Sequence, residues 1–289
     1  MRQYHFWVIG GDPRQAALAQ ALADDGHTVH TYALENAGQT ALAALAEPDL
    51  SGAQSADCVI LPLPAADGER INAPLSERVL PLSAVVDALR PGQLVCAGRV
   101  PPSLTALAQA KSLTLVDYFH REELAVANAV PTSEGAIQIA MEELPITLHS
   151  ARCLVIGGGR LGKVRAGQLR GLGAKVSLAA RSWADLAWAQ VWGCGVERSD
   201  QLAGWLCAYD LIINTVPAPL LGPEELRDLK PGCLVIDLAS KPGGVDFQAA
   251  AQLGVKAIWA LSLPGKAAPV TAALAIKSTV YNILTELGV

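Results

Sequence analysis

No stretch of this 289-residue chain holds the roughly 18 consecutive apolar residues that a membrane-spanning helix needs. No long run of lysine or arginine appears either: 22 basic side chains stand against 27 acidic ones, a formal charge of -5. That balance argues against a nucleic-acid or anionic-membrane surface. None of the six cysteines forms a Cys-x-x-Cys pair, and the five histidines show no ligand spacing, so no bound metal is expected. Four cysteines sit in apolar, strand-like runs such as "DCVILPLP" and "GCLVIDLA", which reads as buried thiols in a reducing cytoplasm. The stretch "MRQYHFWVIGGD" lacks a signal-peptide layout and reads as a strand running into a glycine turn.

What the chain does have is apolar residues, 51% of the total, enough for one large or two ordinary domains with cores of their own. It also has a plan written twice. "FWVIGGD" (6–12) resembles "CLVIGGG" (153–159), "ADCVILPLP" (56–64) resembles "YDLIINTVP" (209–217), and "LRPGQLVCAG" (89–98) resembles "LKPGCLVIDL" (229–238). The pairs fall in the same order in each half, which implies two domains of similar design. Each half alternates apolar runs with helix-like segments. The runs lack strict polar alternation, so they read as strands of a parallel sheet buried on both faces. The expected fold class is α/β, with two doubly wound Rossmann-like domains and a binding cleft between them.

Boundaries follow from turn and cap residues. In "DPRQAALAQALADDG", Asp12 caps a first helix, Pro13 suits its first turn and Gly26 follows its end. "PTSEGAIQIAMEEL" (131–144) reads as a linker helix capped by Thr132 and Ser133 and ended by Pro145. The expected domains are 1–130, a linker over 131–148, and a nucleotide domain over 149–267. A C-terminal helix (268–289) is expected to return to the first domain.

The strongest motif is "CLVIGGGRLGKVRAGQLRGLGAKVSLAARS", a complete strand–loop–helix–strand unit. Gly157 permits the tight turn, Gly159 lets the backbone approach a pyrophosphate, and Gly162 lets helix and strand pack closely. Arg160 and Leu161 begin the helix whose free N–H groups would face the phosphates. NAD-binding units usually carry an acid at the end of the second strand, about 20 residues on, to hold the ribose hydroxyls. Here Arg181 stands 22 residues past Gly159, followed by Ser182. That pair suits the 2′-phosphate of NADP; the alternative is a solvated arginine beside an NAD site. "IGGDPRQ" in the first half is weaker, because Asp12 would repel a phosphate; a plain turn with a helix cap fits it at least as well, and Arg14 remains free to face the cleft.

Further loops should line the cleft: 214–221 with Thr215, Val216 and Pro217, 237–246 with Ser240 and Lys241, and 261–271 with Lys266. From the first half come Arg99, the segment 117–128 with Asp117, His120 and Arg121, and the expected helix start at Thr132 and Ser133. Arg99, Arg121, Lys241 and Lys266, with the helix start at Thr132, are expected to form an electropositive floor suited to an anionic substrate carrying carboxylates.

The chain resembles the family of dipicolinate synthase A subunits. The carriers are "VIGGDPRQ", "LPLPAADGERINAPLS", "NAVPTSEGAIQIAM", "VIGGGRLGKV", "AARS", "DLASKPGGVDF" and "WALSLPGKAAPVTA". More distantly it resembles alanine, shikimate and methylenetetrahydrofolate dehydrogenases. The family resemblance implies NADP-dependent oxidation of dihydrodipicolinate to dipicolinate for spores. It also implies the cytoplasm of a sporulating mother cell and, as partner, a flavoprotein-like B subunit; a homo-oligomer is also compatible. His120, Asp117 and Lys241 are the candidate proton acceptors, and the sequence does not choose among them. Two clamps, Arg121 with Thr132 and Ser133, and Lys241 with Ser240 and Lys266, would hold one carboxylate each. Two other readings fit the same residues: another NADP-dependent dehydrogenase of a small carboxylic acid, or a non-catalytic nucleotide-binding protein that supports B.

Overall fold

A computed structural model of the chain describes residues 2–38 and 40–289. It divides into two compact units: one runs to Asn128 and takes in Ala268–Val289, the other is Ala129–Ala267. The first unit contains β1 (His5–Ile9), α1 (Pro13–Asp24), β2 (Thr28–Tyr32), α2 (Thr40–Ala43), β3 (Cys58–Ile60), β4 (Ala66–Asp67) and β5 (Arg70–Ile71). It continues through α3 (Leu82–Asp87), β6 (Leu94–Ala97), α4 (Pro102–Ala110) and β7 (Thr114–Asp117) into α5 (Glu122–Glu143), within which the division falls. The second unit adds β8 (Arg152–Ile156), α6 (Arg160–Gly171), β9 (Lys175–Ala180), α7 (Trp183–Val191), β10 (Gly195–Arg198) and β11 (Leu211–Asn214). It ends with α8 (Pro223–Arg227), β12 (Leu234–Asp237), α9 (Phe247–Gln252), β13 (Lys256–Trp259) and α10 (Leu263–Ala267), before α11 (Pro269–Leu287) rejoins the first unit.

Both main sheets are fully parallel. The first has the order β2-β1-β3-β6-β7, and the second β10-β9-β8-β11-β12-β13. The second is the dinucleotide-fold order, and the first is the same arrangement without the extra edge strand β10. The repeat seen in the sequence reaches individual hydrogen bonds. Gly10 N–H donates to Tyr32 O at 2.8 Å, as Gly157 N–H does to Ala179 O at 2.8 Å. Asp57 accepts from the His5 N–H at 2.8 Å, as Asp210 does from the Arg152 N–H at 2.7 Å.

Strand residues alternate between two apolar layers, which is why their runs are continuous in sequence. Phe6 and Val8 enter one cluster while Trp7 and Ile9 enter another; Cys153 and Val155 do so opposite Leu154 and Ile156. The face of the first sheet that takes Phe6 and Val8 is covered by α1 together with Ala273, Ile276, Val280 and Ile283 of α11. Lys277 and Tyr281 of α11 both bond Asp25 at 2.7 Å. Five cysteines are buried thiols, Cys58 Sγ lying 3.7 Å from Cys96 Sγ, and Cys207 is exposed. No helix among the described residues is long and apolar enough to cross a membrane.

One element differs from expectation. The helix expected to start at Pro131 begins nine residues earlier, at Glu122, and Pro131 lies inside it. Glu122 and Glu123 supply the first-turn acids that favour a helix start, and an alanine-rich stretch carries it forward. Thr132 and Ser133 are therefore mid-helix residues and cap nothing.

Candidate functional site

The second unit builds its site where the strand order reverses, between β8 and β11. The loop after β8 turns at Gly157, whose φ of 114° is open to glycine and whose Cβ would overlap Thr215 Oγ1. A Cβ at Gly162 would overlap the carbonyl oxygen of Gly157, so only glycine lets α6 approach β8 this closely. Gly159 differs: it is exposed, and no atom of a described residue beyond its chain neighbours and the adjoining helix backbone lies within 4 Å of where its Cβ would stand. It is the N-cap residue of the 12-residue α6 and offers no capping side chain, with Arg160 and Leu161 forming the first turn. Open space over a bare glycine, at an uncapped helix N-terminus, fits a dinucleotide pyrophosphate.

The first unit shows the contrast. Asp12 stands at the equivalent of Gly159, and its carboxylate caps α1 through the Arg14 N–H at 3.0 Å. The same carboxylate pairs with the buried Arg14 guanidinium at 2.7 Å, which also donates to Leu63 O at 2.5 Å. A negative side chain thus fills the position a phosphate would need, and Arg14 is internal to this loop.

Around the glycine loop three further segments converge. Thr215 N–H and Oγ1 both donate to Ile156 O, at 2.9 Å and 2.8 Å, which fixes the loop carrying half-buried Thr215 and Val216 and exposed Pro217. Asp185 in the first turn of α7 lies against Gly158, whose Cβ would fall 2.5 Å from Asp185 Cβ; Lys163 pairs with the Asp185 carboxylate at 3.5 Å. Arg181 directly follows β9 and is exposed; it closes on no carboxylate among the described residues, and its charge adds to the lowering of the Asp200 pKa. Ser182 caps α7, accepting from the Asp185 N–H at 3.4 Å.

The third segment is held from within. Asn214 and Asp237, at the ends of β11 and β12, are completely buried. Asn214 Nδ2 donates to Asp237 Oδ1 at 2.8 Å and to Val216 O at 2.9 Å, and its Oδ1 accepts from the Val216 N–H at 3.1 Å. Asp237 also accepts from the N–H groups of Ala239 at 3.0 Å and Gly244 at 2.7 Å. These bonds set the path of the loop that carries exposed Ser240 and Lys241; Lys266 is exposed in α10. The sequence motifs named this loop without the Asn214–Asp237 pair, whose only signal is a polar residue at the end of each of two otherwise apolar strands.

The remaining candidates separate by role. Asp117 accepts from three backbone N–H groups, of Arg99 at 3.0 Å, Val100 at 2.8 Å and Phe119 at 2.9 Å, so its carboxylate is a clasp that joins two loops. Arg99 takes a left-handed φ of 53° there and keeps its side chain exposed. His120 has an 80% exposed side chain, 3.5 Å from Asp117. Arg121 is the clear departure from expectation. Its guanidinium grips both oxygens of Glu286 at 2.7 Å and 2.5 Å and Glu123 at 2.8 Å, and these carboxylates raise its pKa. In this arrangement it ties α5 to α11. Ser133 is buried with its hydroxyl unpartnered. Arg165, one turn past Gly162, is fully buried, its three guanidinium nitrogens have no hydrogen-bond partner among the described residues, and desolvation pushes its pKa down to about 9. No three His, Cys, Asp or Glu side chains among the described residues gather as metal ligands would.

Two family models match successive parts of the chain. Residues 5–119 match the model of the N-terminal domain of the dipicolinate synthase A subunit, and residues 124–288 that of the alanine dehydrogenase/PNT C-terminal domain. A curated relative, the A subunit of dipicolinate synthase from Bacillus subtilis (strain 168), is 31% identical over 283 residues, 97% of this chain and 95% of the relative. The chain belongs to the family of dipicolinate synthase A subunits. The dipicolinate synthase A chain from Bacillus subtilis, in its crystal structure, superposes with a TM-score of 0.87 at 30% identity, covering 100% of this chain and 98% of that one. The A-subunit structure from Bacillus halodurans gives 0.86 at 28% identity and 97% of each chain. The second unit is thus a dehydrogenase-type nucleotide-binding domain.

Proposed function

We propose that this chain binds NADP and uses it to oxidise dihydrodipicolinate to pyridine-2,6-dicarboxylate. The observation that carries the cofactor choice is Arg181, exposed and without an ion-pair partner among the described residues, with Ser182 beside it, at the strand end where an NAD site has an acid. A guanidinium and a hydroxyl there can donate to a 2′-phosphate; the guanidinium accepts nothing, and Ser182 offers one oxygen where a carboxylate offers two to the ribose hydroxyls. The carboxylate that lies against the loop, Asp185, is offset by Lys163.

The reaction removes a hydride and a proton from the dihydropyridine ring. A nicotinamide dinucleotide held at the Gly157–Gly162 loop would supply the hydride acceptor, and a base of the protein would take the proton. Aromatisation supplies driving force, so the protein's task is alignment and proton acceptance. Of the acceptor candidates, Asp117 is committed to three backbone N–H groups, whereas His120 and Lys241 are exposed and uncommitted to such a clasp. Exposed Arg99, Lys241 and Lys266 supply cations for carboxylates, while Arg121 would first have to leave Glu286 and Glu123. On this reading the chain works with a flavoprotein-like B subunit, in the mother-cell cytoplasm of a sporulating bacterium. The test is to give the purified chain NADP+ and freshly made dihydrodipicolinate. NADPH formed in step with dipicolinate supports the reading. NADPH formed only from other carboxylic acids, or only after B is added, favours another dehydrogenase or a supporting role respectively.

A further inference from the structure

Trp183 is 73% exposed, yet it is held. It opens α7 directly after Arg181 and Ser182. The guanidinium of Arg198, at the end of the neighbouring strand β10, lies 4.7 Å from the centre of its ring. Arg198 is itself fixed on three sides. Its Nε and Nη2 donate to the two oxygens of Asp200 at 2.9 Å and 2.6 Å, and its Nη1 donates to Arg181 O at 2.6 Å. One cation thus backs the indole and anchors the backbone of Arg181. The same turn of α7 touches the glycine loop through Asp185 and Gly158, so the indole borders the candidate nucleotide site.

An indole left in water loses the gain of burial, and here the second unit commits a clamped arginine to orienting it. Two other exposed tryptophans lack this arrangement: Trp188 stacks on Trp192, and Trp205 has no backing cation among the described residues. A flat aromatic with one face backed by a cation and the other open is a seat for a neutral planar ring. Within reach of a phosphate loop and a 2′-phosphate donor, the planar ring of a dinucleotide is its adenine.

Resting on the nicotinamide-dinucleotide reading above, we propose that Trp183 stacks on the adenine of the bound cofactor and that Arg198 is the positioning residue that holds the indole for it. The platform serves NADP and NAD alike, because it touches the base and not the 2′ position; discrimination is left to Arg181 and Ser182. For NAD, which does not use Arg181, Arg198 acts only through Trp183, so its contribution disappears once the indole is gone.

Calorimetric titration with NADP, NAD and 2′,5′-ADP tests this on the parent, Trp183→Ala, Trp183→Phe, Arg198→Ala and the Trp183→Ala/Arg198→Ala double variant. Trp183→Ala should weaken all three by roughly tenfold, the scale of a base–aromatic stack. Trp183→Phe should restore most of the loss. Arg198→Ala should weaken NAD severalfold in the parent and not at all in the Trp183→Ala background, a non-additivity that a merely structural role would not give. A parent that binds neither dinucleotide overturns the cofactor reading and the platform with it. A parent that binds both, with Trp183→Ala unchanged, overturns the platform alone. A loss for NADP without a loss for 2′,5′-ADP overturns the adenine assignment.

Discussion

The carboxamide of Asn214 donates to Asp237 Oδ1 at 2.8 Å, across two adjacent strand ends that pair in register, with neither side chain reaching solvent. A buried carboxylate is tolerated only when its lone pairs are filled. Asp237 fills them with Asn214, Ala239 N–H and Gly244 N–H, and so ties the loops after β11 and β12 to each other. Asp237→Ala leaves those donors without an acceptor and should destabilise the protein by roughly 2–4 kcal/mol in urea unfolding. A loss below about 1 kcal/mol would show that the loops keep their path without the clasp.

The two glycines of the phosphate loop should fail in different ways. At Gly162 a methyl group overlaps the Gly157 carbonyl oxygen, so Gly162→Ala must push α6 off β8 and lower the melting temperature. At Gly159 there is open space, so Gly159→Val should melt near the parent temperature and lose cofactor binding, because the side chain takes the phosphate's room. Thermal melts with and without NADP separate the two; a Gly159→Val protein that binds NADP normally removes this loop from the site.

Arg165 gives a prediction of opposite sign. Its buried guanidinium has no hydrogen-bond partner among the described residues, and its pKa is pushed down to about 9 by desolvation. The folded state therefore holds this proton less tightly than the unfolded chain. The resulting penalty is complete below pH 9 and is relieved as pH rises above it. Arg165→Met keeps the length and removes the charge, and should stabilise the protein by roughly 1–4 kcal/mol at neutral pH. A destabilised Arg165→Met would mean that the guanidinium has a partner in solution.

The docking of α11 should weaken with acid. His27 packs against Tyr4, Phe6 and Tyr281, and its Nδ1 accepts from the Tyr4 N–H at 3.3 Å. Burial holds its pKa below the ordinary 6.5, opposed by Asp25 and aided by Lys277. Its contribution is therefore full above 6.5 and falls as pH drops through that value, where the unfolded chain takes up a proton that the folded one refuses. His5, depressed chiefly by burial, adds to the same slope, while Asp25, held low chiefly by its bond from Lys277, acts only below 3.8. His27→Asn should flatten part of the stability loss as pH falls from 6.5 to about 5, as read by denaturant midpoints; an unchanged slope would contradict this.

Much of the fold is legible in the sequence because parallel strands buried on both faces leave unbroken apolar runs. "CLVIGGG" and "FWVIGGD" announce β8 and β1, and the glycine spacing announces the turn at Gly157 and the close packing at Gly162. What the sequence hides is pairing over distance. Arg121 reads as a free cation until Glu286, 165 residues away, closes on it. Pro131 reads as a helix start, although nine preceding residues of α5 carry the helix through it. Asn214 and Asp237 look like ordinary strand ends, and Arg165 looks like a solvated helix residue, because only packing decides which way a side chain on α6 faces.

Cofactor choice turns on Arg181, and the most direct measurement is the affinity of the parent and of Arg181→Ala for NADP and NAD under identical conditions. A charge-assisted contact to the 2′-phosphate is typically worth roughly 1.5–3 kcal/mol, so Arg181→Ala should weaken NADP by roughly tenfold to a hundredfold. NAD, which has no 2′-phosphate, should bind both proteins nearly equally. A parent that prefers NAD, or equal losses for the two cofactors, would contradict the assignment of Arg181 and with it the choice of NADP.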